Sequence, residues 1–221
     1  MAKKTWKIRE STGNGIDQLA KQLGISLLLS RLLVNRGLTD PDAARAFLTP
    51  DLSQLHDPFL FQDMKRAVER IARAVQNQEL ILVYGDYDVD GITSISVIIR
   101  VLGKLLPNKL LYYIPKRLEE GYGLHLTSLE KALAKGVSLI ITVDCGISAT
   151  EETAFLKSKG IDIIITDHHE PPACLPDAYA VINPKMAGCG YPFGQLAGVG
   201  VTFKLLQGLV SSFPELGEKL L

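Results

Sequence analysis

Three groups of acidic and histidine residues stand out in the second part of the chain. Residues 85–91 read Gly-Asp-Tyr-Asp-Val-Asp-Gly, Asp144 follows later, and residues 167–170 read Asp-His-His-Glu. Carboxylates held within a few ångströms raise one another's pKa values unless a cation compensates for their charge. Carboxylate oxygens and imidazole nitrogens suit Mn²⁺ or Mg²⁺, and Zn²⁺ or Fe²⁺ less well because no Cys is placed as a ligand. The residue types therefore predict a divalent-metal site.

The number of these groups favours two ions over one. Five or six ligands exceed what a single ion with an open coordination position requires. Two ions that share a carboxylate fit better, and Asp144, alone after its predicted strand, is the candidate bridge. Paired ions about 3.5–4 Å apart hydrolyse phosphoesters, because they lower the pKa of a bridging water and neutralise charge on the phosphoryl oxygens.

Other interpretations of the same residues are weaker. With Asp86 at position one of an EF-hand loop, Gly91 falls at position six as required, but Val97 falls at position twelve, where a bidentate Glu belongs. The segment also follows a predicted strand rather than a helix. Taken singly, the aspartates could serve turns, and His168-His169 could be an ordinary polar loop.

Alternating strands and helices from residue 80 onward predict where the three groups lie. The predicted strands are residues 80–84, 110–114, 139–143, 161–165 and 179–182, with helices at 91–102, 126–135 and 149–159. Nearly continuous apolar strands between helices indicate an α/β fold, a mostly parallel sheet of five or more strands with helices on both faces. Sites in such sheets lie beyond the carboxyl ends of the strands. The groups follow the first, third and fourth strands, so we expect them at one edge.

Residues 1–77 are predicted to form a separate helical region before a metal-binding domain at residues 78–221. Apolar residues recur at helical spacing in 16–23, 27–33 and 62–75, and Asp40-Pro41 is a typical helix start. This region holds 12 Lys/Arg against 8 Asp/Glu, whereas the remainder holds 12 against 16. The basic balance indicates either contact with a polyanion or chance variation in surface charge.

Composition excludes several classes. With 221 residues, 47% hydrophobic residues and no net charge, the chain is neither disordered nor of low complexity. It has no apolar run of the ~18 residues that a membrane helix needs. The basic N-terminus lacks an apolar segment and the three Cys form no Cys-x-x-Cys pair, so we expect a cytoplasmic protein. Gly198 and Gly200 lack the third glycine of a dinucleotide-binding fingerprint, and no P-loop occurs.

A basic and aromatic segment follows the second predicted strand, near the same sheet edge. Lys116, Arg117 and Tyr122 are candidates to hold a phosphate or to stack on a base. An exposed basic loop without function is the alternative interpretation.

The motifs quoted above resemble those of the DHH phosphoesterases. Asp167-His168-His169 is similar to the family's signature, residues 83–91 to its first motif and residues 143–146 to its second. Segments that resemble the family's bacterial single-strand-specific exonucleases follow the same order: residues 32–37, 56–59, 117–123, 181–184 and 191–200. The resemblance covers nearly the whole chain.

The resemblance implies roles for particular residues. It implies these ligands for two Mn²⁺ or Mg²⁺ ions: Asp88, Asp90, Asp144 and His168, with Asp86 as a further ligand or a partner behind them. His169 is implied to lie against the scissile phosphate. The implied reaction is 5′-to-3′ hydrolysis of single-stranded DNA to mononucleotides in recombination and repair, with a single-strand-binding protein and a helicase among the expected partners.

The chain also departs from these exonucleases, which are much longer. A further metal-binding Asp is expected after another strand and helix. The acidic residues that follow Asp177 in the sequence are Glu215 and Glu218, and neither is in a suitable context. The expected Gly-Gly-His motif and oligonucleotide-binding fold are missing, and residues 218–221 read as an interrupted helix, so we expect an N-terminal fragment that is inactive alone. A DHH phosphoesterase acting on short oligonucleotides, cyclic dinucleotides or pyrophosphate is the second hypothesis. A metal-bearing binding module without turnover is the third.

Overall fold

The computed structural model describes residues 15–216, which fall into two compact units divided between Leu55 and His56. The helix predicted at residues 218–221 lies outside the described residues. Within the described residues, none of the helices is both long enough and apolar enough to span a membrane.

The first unit is helical. It contains α1 (Gly15–Leu23), α2 (Leu27–Asn35) and α3 (Pro41–Leu48), followed by a short 3₁₀ turn. Leu19, Leu33 and Ala44 form its small buried core. The side chain of Asp40 accepts the Ala43 N–H at 2.8 Å, which confirms the predicted helix start.

A parallel five-stranded sheet forms the centre of the second unit. The strands are β1 (Ile81–Gly85), β2 (Leu110–Tyr113), β3 (Leu139–Val143), β4 (Asp162–Thr166) and β5 (Ala180–Ile182). They lie in the order β2-β1-β3-β4-β5, and all pairs are parallel. The fold class predicted from the sequence is confirmed.

Helices cover both faces of this sheet. One face carries α4 (Met64–Gln76), α5 (Val89–Leu102) and α8 (Gly198–Leu209), and the other carries α6 (Leu126–Leu133) and α7 (Thr150–Ser158). Residues alternate between the two cores along each strand, so that Val83 faces the first core and Leu82 the second. Burial on both faces explains why the central strands are nearly continuous apolar runs.

The division between the units differs from the predicted boundary near Gln78. The apolar side of α4, which includes Met64, Val68 and Ile71, is buried against the sheet together with α8. The predicted boundary therefore falls inside the second unit, because α4 covers part of the sheet.

Helix α8 has no counterpart among the helices predicted from the sequence. Its first turn contains Gly198 and Gly200, and glycine disfavours helix formation by about 1 kcal/mol relative to alanine. Tertiary packing compensates, since Val201, Leu205 and Leu209 are buried in the core of the second unit.

A buried arginine joins α4 to the amino end of the sheet. Arg70 Nε donates to Asp162 Oδ2 at 2.5 Å, and one of its terminal nitrogens donates to Glu79 Oε2 at 2.7 Å. Ser138 Oγ also donates to Glu79 Oε2, at 2.7 Å. These contacts link the start of β4, the residue before β3 and the segment before β1.

We predict that Arg70→Ala destabilises the chain, because it leaves Glu79 without its cation and Asp162 with only the exposed Arg73. The free energy of unfolding should fall by about 3 kcal/mol, which is the lower end of the range for breaking a buried ion pair, because the Asp162 side chain is 35% exposed. Urea unfolding followed by circular dichroism measures it. Arg73→Ala is the control, because Arg73 is 54% exposed and 3.8 Å from Asp162, and its loss should stay below about 0.5 kcal/mol. Equal losses in both variants would contradict this assignment.

Candidate metal centre

The strand register brings the three acidic groups to one edge of the sheet. Gly85 at the end of β1 pairs with Val143 at the end of β3, and Val143 pairs with Thr166 at the end of β4. The three strands therefore end at the same level. The residues that follow them leave the sheet side by side, at its carboxyl edge.

Asp144 lies at the centre of this edge in an unusual environment. Its side chain is almost fully buried, and its Oδ1 atom has no hydrogen-bond partner among the described residues. Its backbone is left-handed, with φ of 61°, a conformation that costs on the order of 1 kcal/mol and persists only when the surroundings fix it. Such strain is typical of functional sites.

Electrostatics make the ionised form of Asp144 unfavourable when no cation is bound. Burial raises its pKa to about 8, and the negative charges of Asp90, Asp88 and Asp167 contribute to this rise. Burial and the charge of Asp88 also raise the pKa of Asp86. The site therefore gathers more negative charge than the described residues neutralise.

Asp86, Asp88 and Asp144 form a first group of possible ligands. One carboxylate oxygen from each lies within 4.8 Å of the others. Asp86 is buried and its Oδ1 atom has no hydrogen-bond partner among the described residues. Asp88 is exposed and caps α5 by accepting the Gly91 N–H at 3.0 Å. A side chain at Gly91 would meet the Asp86 carbonyl oxygen at 2.4 Å, so this tight turn requires glycine.

Asp144, His168 and His169 form a second group, again with ligand atoms within 4.8 Å of one another. His168 Nδ1 lies 3.1 Å from the carbonyl oxygen of Leu196. A carbonyl oxygen only accepts, so Nδ1 carries a proton, and in the neutral ring Nε2 then keeps its lone pair. Nε2 faces Asp144 Oδ1 at 3.1 Å without forming a hydrogen bond.

The geometry of these atoms fits a divalent cation. An ionised carboxylate oxygen and an unprotonated imidazole nitrogen in contact repel each other unless a proton or a metal cation lies between them. Neighbouring ligands on an octahedral ion with bonds of about 2.1 Å lie about 3.0 Å apart, close to the observed 3.1 Å. A backbone carbonyl that holds the second imidazole nitrogen is typical of metal-binding histidines. The two groups share Asp144, and their donors suit Mn²⁺ or Mg²⁺.

Asp90, also predicted as a ligand, has different neighbours. Its Oδ2 accepts the Gly198 N–H and its Oδ1 accepts the Val199 N–H, both at 2.7 Å. Its Oδ2 lies 3.9 Å from His168 Nε2. Asp90 belongs to neither group of converging ligand atoms, but it lies next to the second group.

Asp167 orients the second histidine, a role that sequence analysis missed. It is fully buried, and its Oδ1 lies 2.7 Å from His169 Nδ1. It also accepts the backbone N–H groups of Ile147, His168 and His169. An ionised carboxylate only accepts, so His169 Nδ1 carries its proton and Nε2 stays free. The sequence feature that could have indicated this role is the position of Asp167, directly after β4 and next to the two histidines.

Asn183 is a second residue that sequence analysis missed. Its side-chain amide donates to the carbonyl oxygen of His169 at 2.9 Å, and its side-chain oxygen accepts the Lys185 N–H at 2.9 Å. Asn183 directly follows β5, and it therefore fixes the backbone of the segment that carries the two histidines.

The predicted substrate-binding residues differ in where they lie. The Tyr122 hydroxyl lies 3.1 Å from His169 Nδ1 and 3.3 Å from the carbonyl oxygen of Asp144, and half of the residue is exposed. Burial and the charge of Asp167 raise the pKa of Tyr122, so its hydroxyl stays protonated. Arg117 lies over the ring of Tyr87 at 5.5 Å, beside the aspartates.

Lys116 is farther from these contacts. Its ammonium group pairs with Glu119 at 2.9 Å, and both side chains are exposed. The structure therefore brings Arg117 and Tyr122 beside the candidate ligands, while Lys116 pairs locally.

Comparisons with known proteins identify the family. The model of the DHH family, N-terminal domain, matches residues 80–220. The match covers more than half of the chain, and the chain therefore belongs to the DHH family.

Relatives within the family include single-stranded-DNA-specific exonucleases. The RecJ exonuclease of Bacillus subtilis (strain 168) is 45% identical over 214 residues, which cover 97% of this chain. A crystal structure of exonuclease RecJ bound to manganese shares 31% identity and a TM-score of 0.65, covering 72% of this chain and 40% of that one. RecJ from Thermus thermophilus in complex with Mn²⁺ shares 25% identity and a TM-score of 0.71, covering 90% and 27%.

The chain spans 27% of the length of its Bacillus subtilis relative.

We predict that Mn²⁺ binds this chain more tightly as pH rises from 7 to 8, with release of protons. Asp144 must lose its proton to act as a ligand, and its pKa of about 8 keeps it largely protonated at pH 7. The association constant should rise about tenfold per pH unit below that pKa for one released proton. Calorimetry in two buffers with different ionisation enthalpies counts the protons. Binding without proton release would contradict the assignment of Asp144.

Proposed function

We propose that the complete protein is a metal-dependent exonuclease that hydrolyses single-stranded DNA from the 5′ end to mononucleotides. The observation that carries this proposal is the pair of ligand groups that share the buried Asp144 at one sheet edge. The names of the relatives add support, because those proteins are single-stranded-DNA-specific exonucleases.

Two ions, Mn²⁺ or Mg²⁺, would supply an activated water and neutralise charge on the phosphoryl oxygens. Asp86, Asp88 and Asp144 would hold one ion, and Asp144 and His168 the other, with Asp90 beside them. The chain's own residues fix these ligands in advance, since the Leu196 carbonyl orients His168 and the strained backbone of Asp144 aims its carboxylate.

The remaining polar residues serve the DNA in this proposal. Asp167 holds His169 so that its free Nε2 contacts the scissile phosphate, and the His169 side chain is 46% exposed. Arg117 neutralises a backbone phosphate beside the ligands, and Lys116 neutralises one farther from them. The exposed part of the Tyr122 ring stacks on a base. The cellular role would be recombination and repair in the cytoplasm, beside a single-strand-binding protein and a helicase.

Substrate length and end labels test this function. The complete protein with Mn²⁺ should release mononucleotides from the 5′ end of a long single strand and cleave a dinucleotide much more slowly. A preference for dinucleotides, cyclic dinucleotides or pyrophosphate would favour a small-substrate phosphoesterase instead. Tight binding of single strands without mononucleotide release would favour a binding module. The same assay on the present chain alone should show no release, because we expect one metal ligand and part of the cleft to be missing.

We predict that Asp144→Ala in the complete protein abolishes turnover, because the variant lacks the ligand that both groups share. Rates of mononucleotide release under saturating Mn²⁺ measure the effect. Asp177→Ala is the control, since Asp177 is exposed and precedes β5, at the opposite end of the strands from the candidate ligands. More than about a tenth of the original rate, a barrier change of only about 1.4 kcal/mol, would count against a shared ligand.

A further inference from the structure

The start of α8 contacts three candidate ligands that come from three different strands. Asp90 lies in the first turn of α5, after β1, whereas Asp144 follows β3 and His168 follows β4. Each of them meets the segment Leu196–Val199, which forms the turn into α8 and is called the α8 turn below.

Asp90 replaces the missing cap of α8. Ala197 at the N-cap position has no side-chain oxygen to accept the free N–H groups of the first turn. Asp90 accepts two of them, from Gly198 and Val199, both at 2.7 Å. Because each carboxylate oxygen takes one N–H, the carboxylate cannot rotate, and its orientation follows that of α8. The positive end of the helix dipole also favours this negative charge.

His168 depends on the same turn for its tautomer. The Leu196 carbonyl oxygen at 3.1 Å from Nδ1 requires the proton on Nδ1. Nε2 is therefore the atom available to a cation, and the direction of the ring is fixed by a backbone group rather than by a rotatable side chain.

Asp144 packs directly against the backbone of Gly198. A Cβ atom on Gly198 would lie 2.3 Å from Asp144 Oδ1 and 2.7 Å from its Cγ. Real Cβ atoms do not approach so closely, so a side chain at position 198 would displace either the carboxylate or the helix. The backbone angles of Gly198 do not require glycine, because its φ is negative as in any helix. The requirement comes from the carboxylate alone.

The α8 turn is itself held firmly. Val201, Leu205 and Leu206 are fully buried against the sheet and its neighbouring helices. Thr202 Oγ1 lies 3.4 Å from Thr166 Oγ1, at the end of β4. These contacts fix the distance between the α8 turn and the carboxyl ends of the strands.

We infer that the α8 turn is the positioning element of the metal centre, and that Gly198 is its positioning residue. One backbone segment determines the orientation of the Asp90 carboxylate, the orientation of the His168 imidazole and the space available to the Asp144 carboxylate. The inference deepens the proposed function and rests on the metal centre proposed there. It assigns to α8 a role that reaches the ions through other residues, without contributing a ligand itself.

Paired glycine variants of the present chain test this role. Gly198→Ala should weaken Mn²⁺ binding at least tenfold in calorimetry, the effect typical of residues that orient metal ligands. Gly200→Ala is the matched control in the first turn of α8, because its Cβ would meet only the flexible Leu196 side chain, at 3.3 Å. It should change Mn²⁺ affinity less than threefold. A folded Gly198→Ala chain that binds Mn²⁺ within threefold of the original would overturn the inference.

Measurements on the metal-free chain keep the test decisive if Gly198→Ala does not fold. NMR should find His168 with its proton on Nδ1, and the amides of Gly198 and Val199 should exchange with solvent slowly. Asp90→Ala should speed exchange of these two amides at least tenfold. A proton on Nε2, or rapid exchange of these amides in the original chain, would overturn the inference. These results do not depend on nuclease activity, so an inactive complete protein would contradict the proposed function alone.

Discussion

Carboxylates that leave three neighbouring parallel strands at the same level repel one another unless a cation lies between them. The pairing of Gly85 with Val143 and of Val143 with Thr166 imposes this condition on the second unit. The raised pKa of Asp144 is one consequence, and the buried Oδ1 atoms of Asp86 and Asp144, which lack a hydrogen-bond partner within residues 15–216, are another. If this edge contributed only to the stability of the fold, neutral or fully hydrogen-bonded side chains would be expected here. The donor atoms of this cluster and their spacing suit a divalent cation.

The rest of the second unit holds this unfavourable edge in place. The central strands are buried on both faces, and the helices on either side form two separate apolar cores. At the opposite edge, Arg70 forms ion pairs with Glu79 and Asp162. The two ends of the sheet therefore differ in how far their acidic residues are neutralised. At the amino edge each of these two carboxylates has a cation from the chain itself. At the carboxyl edge the described residues leave part of the negative charge uncompensated.

The sequence was sufficient for the features that depend on local pattern. The apolar runs predicted the five strands, and the parallel arrangement followed from the helices between them, so the edge that carries Asp88, Asp144 and His168 could be located. Features that depend on long-range packing were missed. Helix α8 begins with glycines, and the reason for Gly198 lies in contact with Asp144, 54 residues away in the sequence. The role of Asp167 needed the position of the His169 ring, and α4 could be assigned to the sheet only from its contacts.

The left-handed backbone at Asp144 restricts which residues can occupy that position. Among residues other than glycine, asparagine and aspartate adopt this conformation at the lowest cost, because their short polar side chains can hydrogen-bond locally. Asparagine and glycine keep the shape but carry no negative charge. Glutamate keeps the charge but lacks the conformational tolerance, and its extra methylene would have to fit beside Gly198. Position 144 thus leaves natural variation very little choice, since the residue that satisfies the backbone and the one that satisfies the ions must be the same.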